Sequence, residues 1–272
     1  MISVYLQGGL GNQLFQICAA IAYAMEHREK LVFPAFKADG SIRPTYWDTI
    51  LKRLKEGIEP TLNCETIPKV FEEGFHYTPI PVKPNSMLVG YFQSYKYFDR
   101  HFEAINKKLN FKMEQEIVRN KYLTLTETIS LHFRIGDYTS LQLHHNILKD
   151  QYYIGAIQEI LKRTRKNNWN IIYFCEEKDN IPVKQRMRRI KKKFPELNFY
   201  KAEDNMQDWE QLLLMSCSDH HIIANSAFSW WAAYLNQTPN KLVCYPKTWF
   251  GAANYDKKTT DLCPPSWISI DA

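Results

Sequence analysis

The sequence predicts an α/β protein of two halves, each a parallel sheet wrapped by helices. From about residue 121 onward, short apolar runs alternate with amphipathic segments of helical length, the rhythm of a parallel sheet covered on both faces. The chain opens in the same manner, with an apolar run, a glycine-rich turn and a helix. At 272 residues it exceeds one ordinary domain and falls short of three. Two Rossmann-like halves, 1–120 and 121–272, are therefore expected. They should face a cleft at the carboxyl ends of their strands, where open parallel sheets bind ligands.

Residues 2–6 form the first strand candidate, QGGLGN the turn, and Leu14, Ile17, Ile21 and Met25 one face of the following helix. Residues 31–36 and 86–92 are further strand candidates, and 95–109 a helical stretch. The intervening 40–85 is irregular and rich in Pro, Thr and Glu. In the second half, strands are expected at 129–133, 170–175, 197–201, 221–224 and 241–245, and helices at 152–165, 183–193, 207–217 and 227–235. Trp230 and Trp231 lie on different sides of the last helix, which suggests that one packs the core and the other borders the cleft.

Composition narrows the function classes. Hydrophobic residues at 45% and charged residues at 24% fit a globular chain that folds alone. Aromatic residues at 14% fit either ordinary core filling or faces that stack on flat or sugar-like ligands. The six cysteines (Cys18, Cys64, Cys175, Cys217, Cys244 and Cys263) are widely spaced and form no CxxC pair, so they read as reduced thiols. With neither a signal-peptide pattern nor a long apolar run, a cytosolic location is expected. The net charge of +6 has two concentrated sources, 162–166 and 184–193. The second, KQRMRRIKKK, reads first as a solvated helix face and second as a peripheral docking patch for an anionic membrane. No nucleic-acid motif accompanies the charge.

Three constellations carry polar chemistry. The loop Gly8, Gly9, Leu10, Gly11, Asn12, Gln13 lies between strand and helix, where backbone N–H groups can meet an anion or polar ligand. It lacks the Lys-Ser/Thr of a P-loop, and Leu14 stands in place of the third glycine of the dinucleotide fingerprint. A tight turn without a ligand is its plain alternative. The second, HFRIGDY, places His132, Arg134 and Asp137 at a strand end. There Arg134 can fork two hydrogen bonds onto a diphosphate, or simply pair with Asp137. The third is NSAFSWW, with Asn225 and Ser226 between strand and helix and Ser229 in the first helical turn. Ser226 is a plausible N-cap beside an anion seat. No Asp-x-Asp or HExxH motif occurs, so no metal site is expected. Glu176, Glu177 and Asp179 read first as a solvated loop, second as a seat for a divalent ion or a ribose.

Taken in order, GGLGNQLFQ, GYFQSYKYF (90–98), HFRIGDY (132–138) and NSAFSWW (225–231) resemble the bacterial-type alpha-1,2-fucosyltransferases of glycosyltransferase family 11, across nearly the whole chain. The resemblance implies a GT-B architecture, GDP-fucose as donor substrate, a glycan acceptor, inversion at the anomeric carbon, and no cofactor or metal. It casts Arg134 as the phosphate grip, with His132 and Asp137 shaping the same motif. Asn225, Ser226 and Ser229 become further donor contacts, and Gly8, Gly9, Gly11, Asn12 and Gln13 line the cleft from the first half. Two departures leave the donor open to other GDP-deoxyhexoses. Many relatives carry a second arginine where Ile135 stands, and the usual serine-and-aspartate segment after the next strand here reads FCEEKDN.

The expected mechanism is attack of an acceptor hydroxyl on the donor's anomeric carbon through an oxocarbenium-like transition state. Arg134 and the helix start near Ser226 would stabilise the departing diphosphate. Asp137 is the first candidate for the base and His132 the second. The competing classes are a carbohydrate-binding protein that has lost transfer, and a kinase, against which the missing P-loop lysine and metal carboxylates argue.

Overall fold

The computed structural model describes residues 1–35 and 44–271. Phe36, the end of a predicted strand, and residues 40–43 of the predicted irregular region lie outside them. The chain forms two compact units, Met1–Glu114 with Lys257–Pro264, and Gln115–Asp256 with Pro265–Ala272.

The first unit begins with β1 (Ile2–Val4) and α1 (Leu10–Glu26), followed by β2 (Phe33–Pro34), β3 (Ile58–Glu59), β4 (Lys69–Phe71), β5 (Ser86–Val89) and α2 (Phe102–Leu109). β5 lies between β1 and β4, both parallel to it, and β2 pairs with β3. On the other side of β1, Ile2 N–H donates to Lys30 O at 2.7 Å and Val32 N–H to Ile2 O at 2.9 Å. The chain just ahead of β2 thus bridges to β1 on the side away from β5, while β2 and β3 pair as a separate two-stranded sheet, so the winding reverses between β1 and β5. Glycine is required at Gly8, where φ is +71° and a Cβ would press on Asn12.

α1 is apolar almost all round and is buried through most of its length, as a central helix must be. Met25 departs from the predicted face: it lies in the last turn and is 43% exposed. Two short 3-10 turns, Tyr95–Tyr97 and Asp99–His101, occupy the start of the predicted helix 95–109. The region expected to be irregular contains β3 and β4. The segment Lys257–Pro264 fastens to the first unit through Asp261, whose carbonyl accepts from Ser94 Oγ at 2.6 Å and whose carboxylate pairs with Lys96 at 2.5 Å.

α3 (Phe111–Tyr122) carries the chain from the first unit into the second. The second unit then alternates β6 (Thr128–His132), α4 (Asp150–Thr164), β7 (Asn170–Phe174), α5 (Asn180–Lys193), β8 (Asn198–Lys201), α6 (Asp208–Ser216), β9 (His220–Ile222), α7 (Ala227–Leu235), β10 (Val243–Pro246) and β11 (Ile268–Ile270). Its sheet is parallel throughout, in the order β8-β7-β6-β9-β10-β11. Renumbered from β6 this is 3-2-1-4-5-6, the doubly wound Rossmann order, with its reversal between β6 and β9.

Ile129, Leu131, Ile157, Ile160, Ile171 and Ile190 centre the core under α4 and α5. Within the sheet, Ser130 and His221 are register partners. Asn236 Nδ2 donates to His221 Nε2 at 2.8 Å, so the ring proton sits on Nδ1 and is donated to Ser130 Oγ, also at 2.8 Å. Trp230 and Trp231 are both fully buried, which corrects the placement of one at a cleft border. Trp230 stacks on Tyr234 at 4.7 Å and meets Trp267 at 5.4 Å, so α7 is enclosed on both flanks.

α5 buries Val183, Met187 and Ile190 and leaves Lys184, Arg188, Lys191, Lys192 and Lys193 in solvent. Arg186 and Arg189 reach Asp150 at 3.7 and 2.5 Å. Among the described residues no helix is long and apolar enough to cross a membrane. All six cysteines are free thiols.

Candidate active site

At the reversal in the second unit, the loops after β6 and β9 lie side by side. Leaving β6, the chain passes through Arg134 and makes a short turn over Gly136–Thr139 that carries Asp137 and Tyr138. The Arg134 guanidinium is held by two carboxylates: one terminal nitrogen donates to Asp137 at 2.6 Å, the other to Glu176 after β7. Nε–H and one N–H on each terminal nitrogen are not used by these two bonds. Beneath the guanidinium the Tyr138 ring lies 5.2 Å away, a cation–π contact. Tyr138 also stacks on His145 at 4.5 Å and donates its hydroxyl to Asn225 O at 2.9 Å, tying the two post-strand loops together. Burial pushes the Tyr138 phenol up to about 12, so it stays a donor at any physiological pH.

Gly136 makes this packing possible. Its φ is +28°, and a Cβ there would come within 3.1 Å of the Glu176 carboxylate. Its N–H donates to Asp179 Oδ2 at 2.8 Å. Of the acidic cluster read as a solvated loop, Glu177 is exposed, whereas Glu176 and Asp179 are drawn into the turn. Glu176 braces Arg134 and is itself paired with Lys178 at 2.8 Å, while Asp179 is buried beneath the turn.

Ser226 caps α7, its hydroxyl accepting Phe228 N–H at 3.3 Å. There is no acidic residue in the first turn of the helix, so its positive end faces the loop uncompensated. Ser229 is fully buried; its hydroxyl accepts Ala224 N–H at 3.2 Å and lies 3.5 Å from Ser226 O. The Asn225 amide donates to Asn146 O at 2.9 Å and Trp249 O at 3.0 Å, spanning three loops. Ser229, Asn225 and the buried cap Ser226 form the frame of this end of the sheet, and the Arg134 side chain is partly exposed beside it.

His132 is buried with its ring 5.6 Å from Phe228. Burial, reinforced by the nearby Arg134 charge, holds its pKa down at about 3, so the ring is neutral. Its Nδ1 has no hydrogen-bond partner among the described residues. A ring this reluctant to take a proton is a poor base, and Asp137 is bound to Arg134.

The glycine loop belongs to the first unit. Gln13 is buried and turns back over the loop, donating to Gly8 O at 3.0 Å and Pro44 O at 2.9 Å. Gly11 is buried inside α1. Asn12 is half-buried and accepts from Gln93 Nε2 at 2.8 Å. Gly8 and Gly9 keep partly open backbone beside it. Among the described residues no group of three or more His, Cys, Asp or Glu side chains comes together as a metal cluster.

An arginine braced at the switch point of a doubly wound sheet, with a helix N-terminus following the adjacent strand, is an arrangement that can meet an anionic group. The particular family follows from comparison. Residues 64–271 match Glycosyl transferase family 11, and the chain belongs to that family and is a glycosyltransferase. It is 28% identical to an alpha-1,2-colitosyltransferase of Escherichia coli, covering 98% of this chain and 97% of the relative. It is also 28% identical to the O-antigen biosynthesis glycosyltransferase WbnK of the same organism, covering 97% and 99%. A galactoside 2-alpha-L-fucosyltransferase of Caenorhabditis elegans is 21% identical over 99% of this chain and 79% of the relative.

Proposed function

We propose that the protein transfers L-fucose from GDP-fucose to the 2-hydroxyl of a galactose-type unit in a glycan, with inversion and without a metal. The supporting observation is Arg134, held at the switch point with N–H groups to spare and the positive end of α7 beside it. As the bond between sugar and diphosphate breaks, charge grows on the β-phosphate oxygens. A preorganised guanidinium and helix terminus stabilise that charge more than they stabilise the intact donor. In this reading the second unit, with Ser226 and the frame made by Asn225 and Ser229, is the donor side of a GT-B enzyme. The first unit, with Gly8, Gly9 and Asn12, is the acceptor side. Asp137 and Glu176 orient the guanidinium, and neutral His132 packs behind it without adding a like charge.

A second donor reading is colitose, favoured by the colitosyltransferase relative and by the apolar Ile135, buried where a second arginine is expected for a fucosyltransferase.

The deciding experiment measures GDP release by the purified protein in EDTA with lactose or N-acetyllactosamine, offering GDP-fucose, GDP-colitose and, as control, GDP-mannose. Acceptor-dependent release from GDP-fucose alone is the expected result, and linkage analysis of the product follows. Release only from GDP-colitose moves the assignment to that sugar, and loss of activity in EDTA overturns the metal-free mechanism.

A further inference from the structure

The two basic stretches of the chain fare differently in the fold. Around 162–166, at the end of α4, Arg163 Nε donates to Glu159 at 2.6 Å, and Lys166 pairs with Glu127 and lies 4.5 Å over the Trp169 ring. That stretch is largely neutralised. α5 reads NIPVKQRMRRIKKK and contains no acidic residue. Arg186 and Arg189 turn toward Asp150 of α4, whereas Lys184, Arg188, Lys191, Lys192 and Lys193 are exposed and have no acidic partner among the described residues.

Helical spacing sorts these side chains. Val183, Met187 and Ile190 form the buried stripe. Ile181, Gln185, Arg188 and Lys192, spaced four, three and four apart, form the stripe opposite it, and all four are exposed. Ile181, at the head of that stripe, is 75% exposed. The helix itself does not call for this arrangement. Cations in the last turn complement the helix dipole, which accounts for Lys191, Lys192 and Lys193. Lys184 and Arg188 lie before that turn. Each stands four residues from a like charge, Lys184 from Arg188 and Arg188 from Lys192, a spacing that destabilises a helix.

A row of uncompensated cations headed by an apolar side chain is the pattern of a helix that lies in the interface of an anionic bilayer. The cations meet the headgroups, and the apolar chain enters the acyl boundary. A nucleic-acid backbone would engage the cations and leave Ile181 without a partner. We propose that the outer stripe of α5 docks the protein on an anionic lipid surface. Ile181 is two residues from Asp179, whose carboxylate accepts the Gly136 N–H, so the apolar head of the stripe lies at the end of the sheet that carries Arg134.

The test is sedimentation of the whole chain with vesicles of phosphatidylcholine alone and with about 30 mol% phosphatidylglycerol, at about 0.05 and 0.5 M salt. Binding to the anionic vesicles at low salt, absent from the neutral ones and lost at high salt, is expected. Each cation removed should weaken it about fivefold, so Lys184→Gln, Arg188→Gln and Lys192→Gln together should weaken it about 100-fold. Ile181→Ser should weaken it about fivefold and leave the salt dependence in place. The same loss of charge on the neutralised stretch, Lys162→Gln, Arg163→Gln and Lys166→Gln, should change binding by less than about threefold. Circular dichroism checks that each variant is folded. Equal binding to neutral vesicles, no binding to anionic ones at low salt, or an α5 triple variant within about twofold of wild type overturns the role. Tighter binding of a duplex RNA than of the vesicles at the same salt also overturns it, and moves the face to nucleic acid.

Discussion

Where β1, β5 and β4 end, the chain presents Gln7, Asn12, Gln93 and Glu72; where β6 and β9 end, it presents Arg134, its two carboxylate braces and the start of α7. Both sets lie at reversals of parallel sheets, so topology accounts for where polar groups collect and not for what they bind. In the first unit the groups are mostly neutral, and the carboxylate accepts two backbone N–H groups on one oxygen. In the second a permanent cation is aimed by its neighbours, a pattern for phosphate.

Arg134 should show the largest effect. Arg134→Ala is expected to cut turnover about 1,000-fold and Arg134→Lys at least tenfold, with weaker GDP binding in both, measured by steady-state kinetics and calorimetry. Near-normal turnover in the lysine variant would remove the forked-phosphate role.

Acid should break the second unit selectively. Burial holds His132 at about 3, whereas the unfolded ring titrates near 6.5. Below pH 6.5 the unfolded state binds a proton that the folded state refuses, so stability present above 6.5 is lost as pH falls toward 3. His220 and His221, also lowered by burial, act with the same sign. His132→Asn should recover about 3 kcal/mol of the loss between neutral pH and pH 4 in urea unfolding.

Gly136→Ala is expected to cost about 1–2 kcal/mol by urea unfolding and about tenfold in turnover, because its Cβ would crowd the Glu176 carboxylate that holds Arg134. Gly90→Ala sharpens the contrast from the other side. It should cost stability in urea unfolding and leave GDP affinity within about twofold, since a Cβ there meets the Glu72 side chain first. The smallest effect belongs to the basic face of α5: Lys184→Gln, Arg188→Gln and Lys192→Gln together should change turnover by less than about twofold, as expected of charges standing in solvent.

The second unit was far more legible in the sequence than the first, for a physical reason. Its inner strands β6, β7, β9 and β10 are largely buried on both faces, so the alternation from 129 to 245 could be read almost element by element. β4 offers only Val70 to the core between exposed Lys69 and Phe71, and β3 is two residues long, too short for any periodicity to register, whereas β2 falls within the expected strand 31–36. α3 went unread because Met113 and Ile117 point to solvent and blur its amphipathic face. Within the site, HFRIGDY displayed Arg134 and Asp137 because they are three residues apart. Glu176 and Asp179 are brought to that turn only by the β6–β7 pairing, and Glu72 reaches Gly90 only through β4–β5. No local spacing encodes such meetings.

The return of Lys257–Pro264 to the first unit, before the chain supplies β11 to the second, bears on how this protein can be cut and recombined. A fragment ending at the passage inside α3 would lack Asp261, the partner of both Ser94 and Lys96, and its complement would carry that segment with nothing to hold. Exchange of the first unit between relatives by a single crossover therefore separates a clamp from its seat. A working chimera needs a two-crossover graft that moves the short C-terminal segment together with the N-terminal block.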